Sequence, residues 1–444
     1  MRTLLSLMLI TTLSACSDTA DDGPTDTDTD SDTDTDTDTD SDTDTDTDTD
    51  VPQLDRCAAL PAPSGNVVNV SPSDDLERIL EGLESGDTAW LAAGTYRLTS
   101  ESYIRLRTDN VSIRGATGDA EDVVIDGNWE AGFGLSINAS DVTVSDLTIQ
   151  RVYYHPVHVT PSDGRSIEGV RLYRVRIVDG AEQAIKINTG GEGTRFADKG
   201  EIACSHIELT DAGRAQVRNN CYTGGVDAHQ AWGWHIRDNY IEGFWCDSGL
   251  SEHGVHMWRG GRDTRVERNV IVNSARGIGF GLTSDDRGRR YDDSPCGGQI
   301  AQSYNEVAQN NSIFADDPRL FSSSAGFDGG ISLASACEAT VVHNTVFSTQ
   351  APFASMEFRW PLTSGVIANN VVSHNIMDRG AGAMIIESNR TDAPGSWFVD
   401  AAGGDLHLAA GAPAIDAGNP TYGVAEDMDG DVRDGSPDAG MDER

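Results

Sequence analysis

From residue 65 onward the apolar residues come in short alternating bursts rather than long runs. Val157 and Val159 flank His158. Ile185 and Ile187 flank Lys186, Val226 and Ala228 flank Asp227, and Val255 and Met257 flank His256. Ile278 and Phe280 flank Gly279, and Ile331 and Leu333 flank Ser332. A period of two puts one set of side chains on each face of a strand. Each burst follows a second pattern, apolar-x-x-Asn-x-apolar. It reads Ile236-Arg-Asp-Asn239-Tyr-Ile241, then Val266 to Ile271 around Asn269, Val341 to Val346 around Asn344, and Ile367 to Val372 around Asn370, with a partial copy at Asn311-Ser-Ile313. Earlier copies carry Leu147 and Val175 in place of Asn. Copies recur about every 26 to 42 residues, the period of a repeat array. So short a unit cannot bury its own core and must stack on its neighbours. The pattern therefore predicts two strands per repeat, stacked into a solenoid. The Asn column is expected to hydrogen-bond from coil to coil, a structural part rather than a catalytic one.

The stretch before the repeats predicts a short amphipathic helix over Asp75–Leu80, with Ser73 or Asp74 as N-cap. Gly86 to Tyr96 follows, then Val111-Ser-Ile113-Arg-Gly115 and Val123-Val-Ile-Asp126-Gly127. Over about residues 65–400 the sequence resembles the right-handed parallel β-helix, or pectin-lyase-like, superfamily, in which a helix caps the open core before the first coil. The resemblance implies an all-β fold: a right-handed parallel β-helix over 51–404 with a short N-terminal capping helix. It implies little about activity, because the fold hosts lyases, hydrolases, epimerases and adhesins. Residues 405–444 are similar to a closing segment of exported bacterial β-helix proteins, expected to cover the last open coil.

Charge then changes the picture at the N-terminus. The net charge is -40 over 444 residues, and sixteen Asp with no basic residue fall in 17–50. This Asp-Thr tract has nothing apolar to bury and repels itself, so it is expected to be a disordered, extended linker. Fully extended it reaches on the order of 100 Å. Residues 1–15 read as a signal peptide. Leu13-Ser14-Ala15-Cys16 resembles a bacterial lipobox, which implies lipidation of Cys16 and a tether holding the domain off a membrane. The expected location is the bacterial cell envelope, at the outer membrane or cell surface before the inner membrane. The rest of the chain is still acidic, which excludes nucleic acid as a partner, since phosphate binding needs clustered Lys and Arg. Nothing in the pattern fixes an oligomeric state.

Six cysteines remain after Cys16, an even number that suits three disulfides in an exported domain. Loop stapling favours Cys204–Cys221 and Cys246–Cys296, which leaves Cys57–Cys337.

Laid strand on strand, the outward positions read His158, Lys186, Asp227, His256, Gly279, Ser332. Two residues on they read Thr160, Asn188, His229, Trp258, Gly281, Ala334. Neighbouring strands lie about 4.8 Å apart. His155, Gln183, His253 and Arg276 rim the same face, with Glu252 beside His253. Six of the ten histidines and one of the two lysines gather here. An indifferent solvated face would carry Thr, Ser, Asn, Asp and Arg instead. Gly279 and Gly281 beside Trp258 are expected to leave a hollow, walled by loops at 189–224, 242–252, 283–300 and 316–327. A one-residue slip across 189–224 would turn Asp227 and His229 inward.

Two reactions fit such a face. In a lyase, a base removes the proton beside a uronate carboxylate while a cation holds that carboxylate. Lys186 and His256 are the candidate bases and Arg276 the carboxylate fork. In a hydrolase, Asp227 and Glu252 would flank the bond. His158, Asn188, His229, His253 and Trp258 are candidate substrate contacts. No cofactor is demanded by any motif. Zn²⁺ is a candidate at Asp227, His229 and His256, and Ca²⁺ at Asp427, Asp429 and Asp431. With the resemblance, these residues point to a carbohydrate-active enzyme on an acidic, uronate-containing polysaccharide, lyase before hydrolase. The rival reading is a glycan-binding or adhesive β-helix without catalysis.

Overall fold

A computed structural model describes residues 56–162, 164–218 and 220–444. The signal-like residues 1–15, Cys16 and the Asp-Thr tract lie outside the described residues. The chain winds through three long parallel sheets, of twelve, ten and ten strands. A typical coil passes from Glu201–Ala203 in the first sheet to His206–Glu208 in the second and Gly224–His229 in the third. Each repeat therefore has three strands where the sequence pattern predicts two. The Asn motif is itself a corner: Ile236 lies in a first-sheet strand and Ile241 in a second-sheet strand. The residue before each Asn turns the corner in the left-handed region, with φ between 53° and 57° at Asp238, Arg268, Asn310, His343 and Asn369. Most side chains resist that conformation.

The Asn column is a ladder, as expected. Asn239, Asn269, Asn311, Asn344, Asn370 and Asn389 each follow in turn. Every Nδ2 donates to the next Oδ1 at 2.9–3.0 Å. The same amides donate to backbone carbonyls of the preceding coil, such as Ile202 and Ile236. Inside the coils, Ile113, Val144, Leu172, Ile202, Ile236 and Val266 are fully buried and stack along the first sheet. The capping helix spans Leu76–Glu81 and buries Leu76 and Leu80. Its N-cap is Asp75, whose side chain accepts the Arg78 N–H at 3.1 Å, while Asp74 instead accepts Ser71 N–H at 2.8 Å.

The C-terminal segment leaves Ile385 and Ile386 of the last coil open and meets that coil at Glu387, to which Asn419 Nδ2 donates. It lies sideways on the outer face of the second sheet, where Phe398, Leu406, Met428 and Met441 pack on Phe314, Phe347 and Val371. Those outward apolar residues need cover, whereas Ile385 and Ile386 of the last first-sheet strand stay exposed. Asp427, Asp429 and Asp431 are not among the described groups whose ligand atoms converge, and the turn is held by its own hydrogen bonds. Asp427 Oδ1 accepts three backbone N–H groups, of Asp429, Gly430 and Asp431, and Oδ2 accepts that of Glu443. Its oxygens brace the turn, and Asp429 Oδ2 meets His407 Nε2 at 2.8 Å.

All three expected disulfides are replaced. The bonds are Cys57–Cys204, Cys221–Cys246 and Cys296–Cys337. Chain proximity misleads because Cys204 and Cys221 sit at different corners of one coil. The last two bonds join like corners of successive coils. Cys57 belongs to a strap, residues 56–61, that runs outside the coils. Arg114 donates to Leu60 O and Pro61 O, Tyr173 Oη to Ala58 O, and Arg56 to Met428 O and Glu426.

Candidate functional site

The third sheet sets the column in the register the alternation predicts. His158 pairs with Lys186, Lys186 with Asp227, Asp227 with His256, His256 with Gly279, and Gly279 with Ser332. His229 faces Trp258 one pair on. No slip occurs across the long insertion.

The column is buried rather than open. Lys186 is 3% exposed, Asp227 1% and His256 0%. Three contacts organise it. Lys186 Nζ donates to Asp227 Oδ2, and reaches Tyr222 Oη and His229 Nε2, both at 3.2 Å. Trp258 Nε1–H donates to the other oxygen, Asp227 Oδ1, at 2.8 Å. His256 Nδ1 lies 3.4 Å from Asp227 Oδ1 and 3.2 Å from Glu252 Oε2. Its ring stacks on Trp258 at 5.1 Å. Tyr222, in the loop before the Asp227 strand, is a partner the sequence does not announce, because loops carry no period.

Charge states follow from this packing. Burial favours the neutral form of each group. For Lys186 the Asp227 carboxylate more than offsets burial, so the ammonium is held charged. Burial would likewise lower His256, but Asp227 and Glu252 raise it to about 9. Asp227 is held well below the usual carboxylate range: burial would raise it, and Lys186, His229 and His256 outweigh that. Neither proposed base, Lys186 or His256, is thus a free acceptor at neutral pH. His229 differs: burial lowers it and Asp227 only partly compensates, so it is neutral. Its side chain is 22% exposed, and its Nε2 lies 3.5 Å from Asp227 Oδ2.

The other expected contacts divide. His158 and Asn188 are half-buried and bonded to each other at 3.2 Å, with His158 stacked on Phe133. Burial holds His158 at about 4 and His155 at about 3. Arg276 sits on the rim, but its Nε donates to Asp328 at 2.8 Å rather than standing free as a fork. The hollow expected over Gly279 is filled by the His253 imidazole: a Cβ there would lie 2.5 Å from Nε2. The expected zinc set of Asp227, His229 and His256 is not among the described groups whose ligand atoms converge, and the Lys186 ammonium contacts both Asp227 Oδ2 and His229 Nε2. Among the described residues, ligand atoms converge instead at Glu252–His253–His256, at His206–Glu208–Glu242 and at His407–Asp429–Asp442. A depression lies beside the covering loops, away from the column. It encloses about 530 Å³ lined by residues that include Arg214, Arg218, Trp245 and Arg319.

Comparison with solved structures bears on the fold. Pectate lyase Pel9A superposes with a TM-score of 0.51 at 14% identity, over 85% of this chain and 96% of that one. An alginate lyase from Paenibacillus sp. str. FPU-7 gives 0.49 at 14% identity, over 74% and 99%. PfbA, a surface adhesin of Streptococcus pneumoniae, gives 0.37 at 10% identity, over 68% and 82%. No family model matches the chain, and a search of curated proteins finds no match. The chain has the right-handed parallel β-helix fold.

Proposed function

We propose that this chain is a carbohydrate-active enzyme that lays an acidic polysaccharide across the third sheet and cleaves it by β-elimination. One observation carries the reading: a partly exposed, neutral His229 sits directly over a buried Lys186–Asp227 pair. For Nδ1 of His229 to accept the proton beside a uronate carboxylate, its Nε2–H must turn to Asp227 Oδ2, now at 3.5 Å, and give up the contact with the Lys186 ammonium at 3.2 Å. The imidazolium so formed is stabilised by the Asp227 carboxylate behind it, and Lys186 supplies positive charge as the carbanion develops. Arg276 on the rim is the side chain to exchange Asp328 for a substrate carboxylate. Hydrolysis by Asp227 and Glu252 is disfavoured, because Asp227 is sealed beneath Trp258 and cannot touch a sugar.

The test is incubation of the full chain with pectate, alginate and other uronate polymers, with product ends read by ultraviolet absorbance and mass spectrometry. Unsaturated ends that vanish in His229→Ala are the expected result. Glycan binding without cleavage is the second reading, favoured by the mutual saturation of Lys186, Asp227 and His256 under cover. Polymers that bind but stay intact across the panel would replace the first reading with it. Location belongs to the same proposal: lipid on Cys16 and display at the cell envelope. Six cysteines in bonding geometry fit an oxidising compartment, and mass spectrometry of the Cys16 peptide checks the lipid.

A further inference from the structure

At the third sheet His253 Nδ1 is buried with no hydrogen-bond partner, and beside it the buried Glu252 Oε2 and His256 Nδ1 meet each other at 3.2 Å. The two histidines are 2% and 0% exposed. A buried polar atom without a partner is rare and needs an explanation. One ligand atom from each of the three residues lies within 4.8 Å of the others. The imidazoles are also oriented for a ligand. His256 Nε2–H donates to Gly281 O at 3.2 Å. A carbonyl only accepts, so one proton sits on Nε2, and an ion at Nδ1 would displace the second proton, which Glu252 and Asp227 otherwise hold there. His253 Nε2 is held by Ser332 Oγ at 2.9 Å, and with the hydroxyl as acceptor its Nδ1 is likewise left to a ligand. Holding an imidazole through its second nitrogen is how metal-binding histidines are positioned.

The spacing agrees. Ligand atoms about 2.0–2.2 Å from a tetrahedral ion stand roughly 3.3–3.6 Å apart. His256 Nδ1 is 3.2 Å from Glu252 Oε2 and 3.4 Å from Asp227 Oδ1. We infer that Glu252, His253 and His256 hold a divalent first-row transition ion, Zn²⁺ foremost, with Asp227 Oδ1 as the adjoining carboxylate. Two imidazoles with carboxylate suit such an ion, whereas Ca²⁺ and Mg²⁺ take all-oxygen sets. The flanking cations are turned away: Lys186 faces Oδ2 of Asp227, and Arg276 is paired with Asp328. Glu252 is partly exposed and gives the ion its way in.

The site stands independently of the cleavage reading, and its test is binding. The full chain is stripped with EDTA, then titrated with Zn²⁺ by calorimetry and with Co²⁺ by visible absorption. One equivalent of Zn²⁺ should bind, and Co²⁺ should give an intense tetrahedral band that Zn²⁺ displaces. Glu252→Gln should weaken Zn²⁺ by about tenfold or more, while His206→Ala and His407→Ala leave it unchanged. No binding by the stripped wild-type chain would overturn the site. So would zinc lost in His206→Ala or His407→Ala but kept in Glu252→Gln. If Glu252→Gln does not fold, the wild-type Co²⁺ spectrum decides, and a weak octahedral band counts against the site. Zinc bound by a chain that cleaves nothing would sink the enzyme and keep the site. Cleavage in EDTA by a chain that binds no zinc would do the reverse.

Discussion

Asn311 shows what a single side chain holds in this molecule. Its Nδ2 serves Val266 O, Gln309 O and Asn344 Oδ1, and its Oδ1 receives Asn269. Asn311→Ala leaves several buried groups unpaired, each costing about 1–3 kcal/mol, so urea denaturation should show a loss of about 3 kcal/mol or more. Asn389→Ala, at the half-buried end of the ladder, should cost clearly less. Equal losses would mean the ladder is not the cause. The Lys186–Asp227 pair gives a second contrast. Removing one partner of a buried pair costs about 3–5 kcal/mol. Lys186→Met and Asp227→Asn should each fall in that range and the double variant should cost less than their sum. The column itself was legible in the sequence, since alternation fixes which residues share a face. Its burial was not: a period of two says which side a residue takes, not what covers that side. The cover comes from loops such as the one carrying Tyr222. The partners buried with them, Asp227 and Tyr222 for Lys186 and Asp227 and Glu252 for His256, outweigh burial and keep both protonated, so the role of base passes to His229, which the sequence marks only as a contact.

At the scale of an element, the C-terminal segment is governed by two histidines of opposite sense. His407 is raised to about 10, chiefly by its hydrogen bond to Asp429 with Asp405 on its other nitrogen and Asp442 nearby. Its unfolded value is about 6.5. The raised group therefore stabilises fully below pH 6.5, and its contribution fades as pH rises to about 10. His343, beneath the same segment, is lowered to about 3 by burial and by Arg433. There the unfolded state takes up a proton the folded state refuses, so stability falls as pH drops from 6.5 toward 3. Protection of residues 405–444 in hydrogen exchange should thus peak near pH 6.5. His407→Gln should flatten the alkaline side and His343→Gln the acid side. An unchanged alkaline fall in His407→Gln would refute the first assignment. The segment's existence could be read from the sequence, but its seat could not. Phe314 and Phe347 look like ordinary strand residues until the corner at Asn311 and Asn344 splits the motif between two sheets and leaves them facing out.

Across the whole molecule, the fold was legible because every coil repeats one pattern, and the disulfides were not, because pairing follows corners that the chain visits about thirty residues apart. The strap shows the difference most plainly. Nothing in residues 56–61 signals contact with Tyr173 or Met428. Joining Cys57 to Cys204 closes a loop of 147 residues, and removing both cysteines should cost about 2–5 kcal/mol. Limited proteolysis should then cut between residues 56 and 66 in the variant and spare the parent. An uncut strap would mean that its hydrogen bonds suffice. The same bond decides how the protein meets mechanical tension. A pull on the chain upstream of Arg56 does not peel the first coil from its end. It reaches a covalent link at the sixth strand of the first sheet, just after Ala203. The load enters mid-stack and the coils before Cys204 hang slack behind it. Flow past a surface-held copy would strain the middle of the solenoid while its capped end stays unstressed.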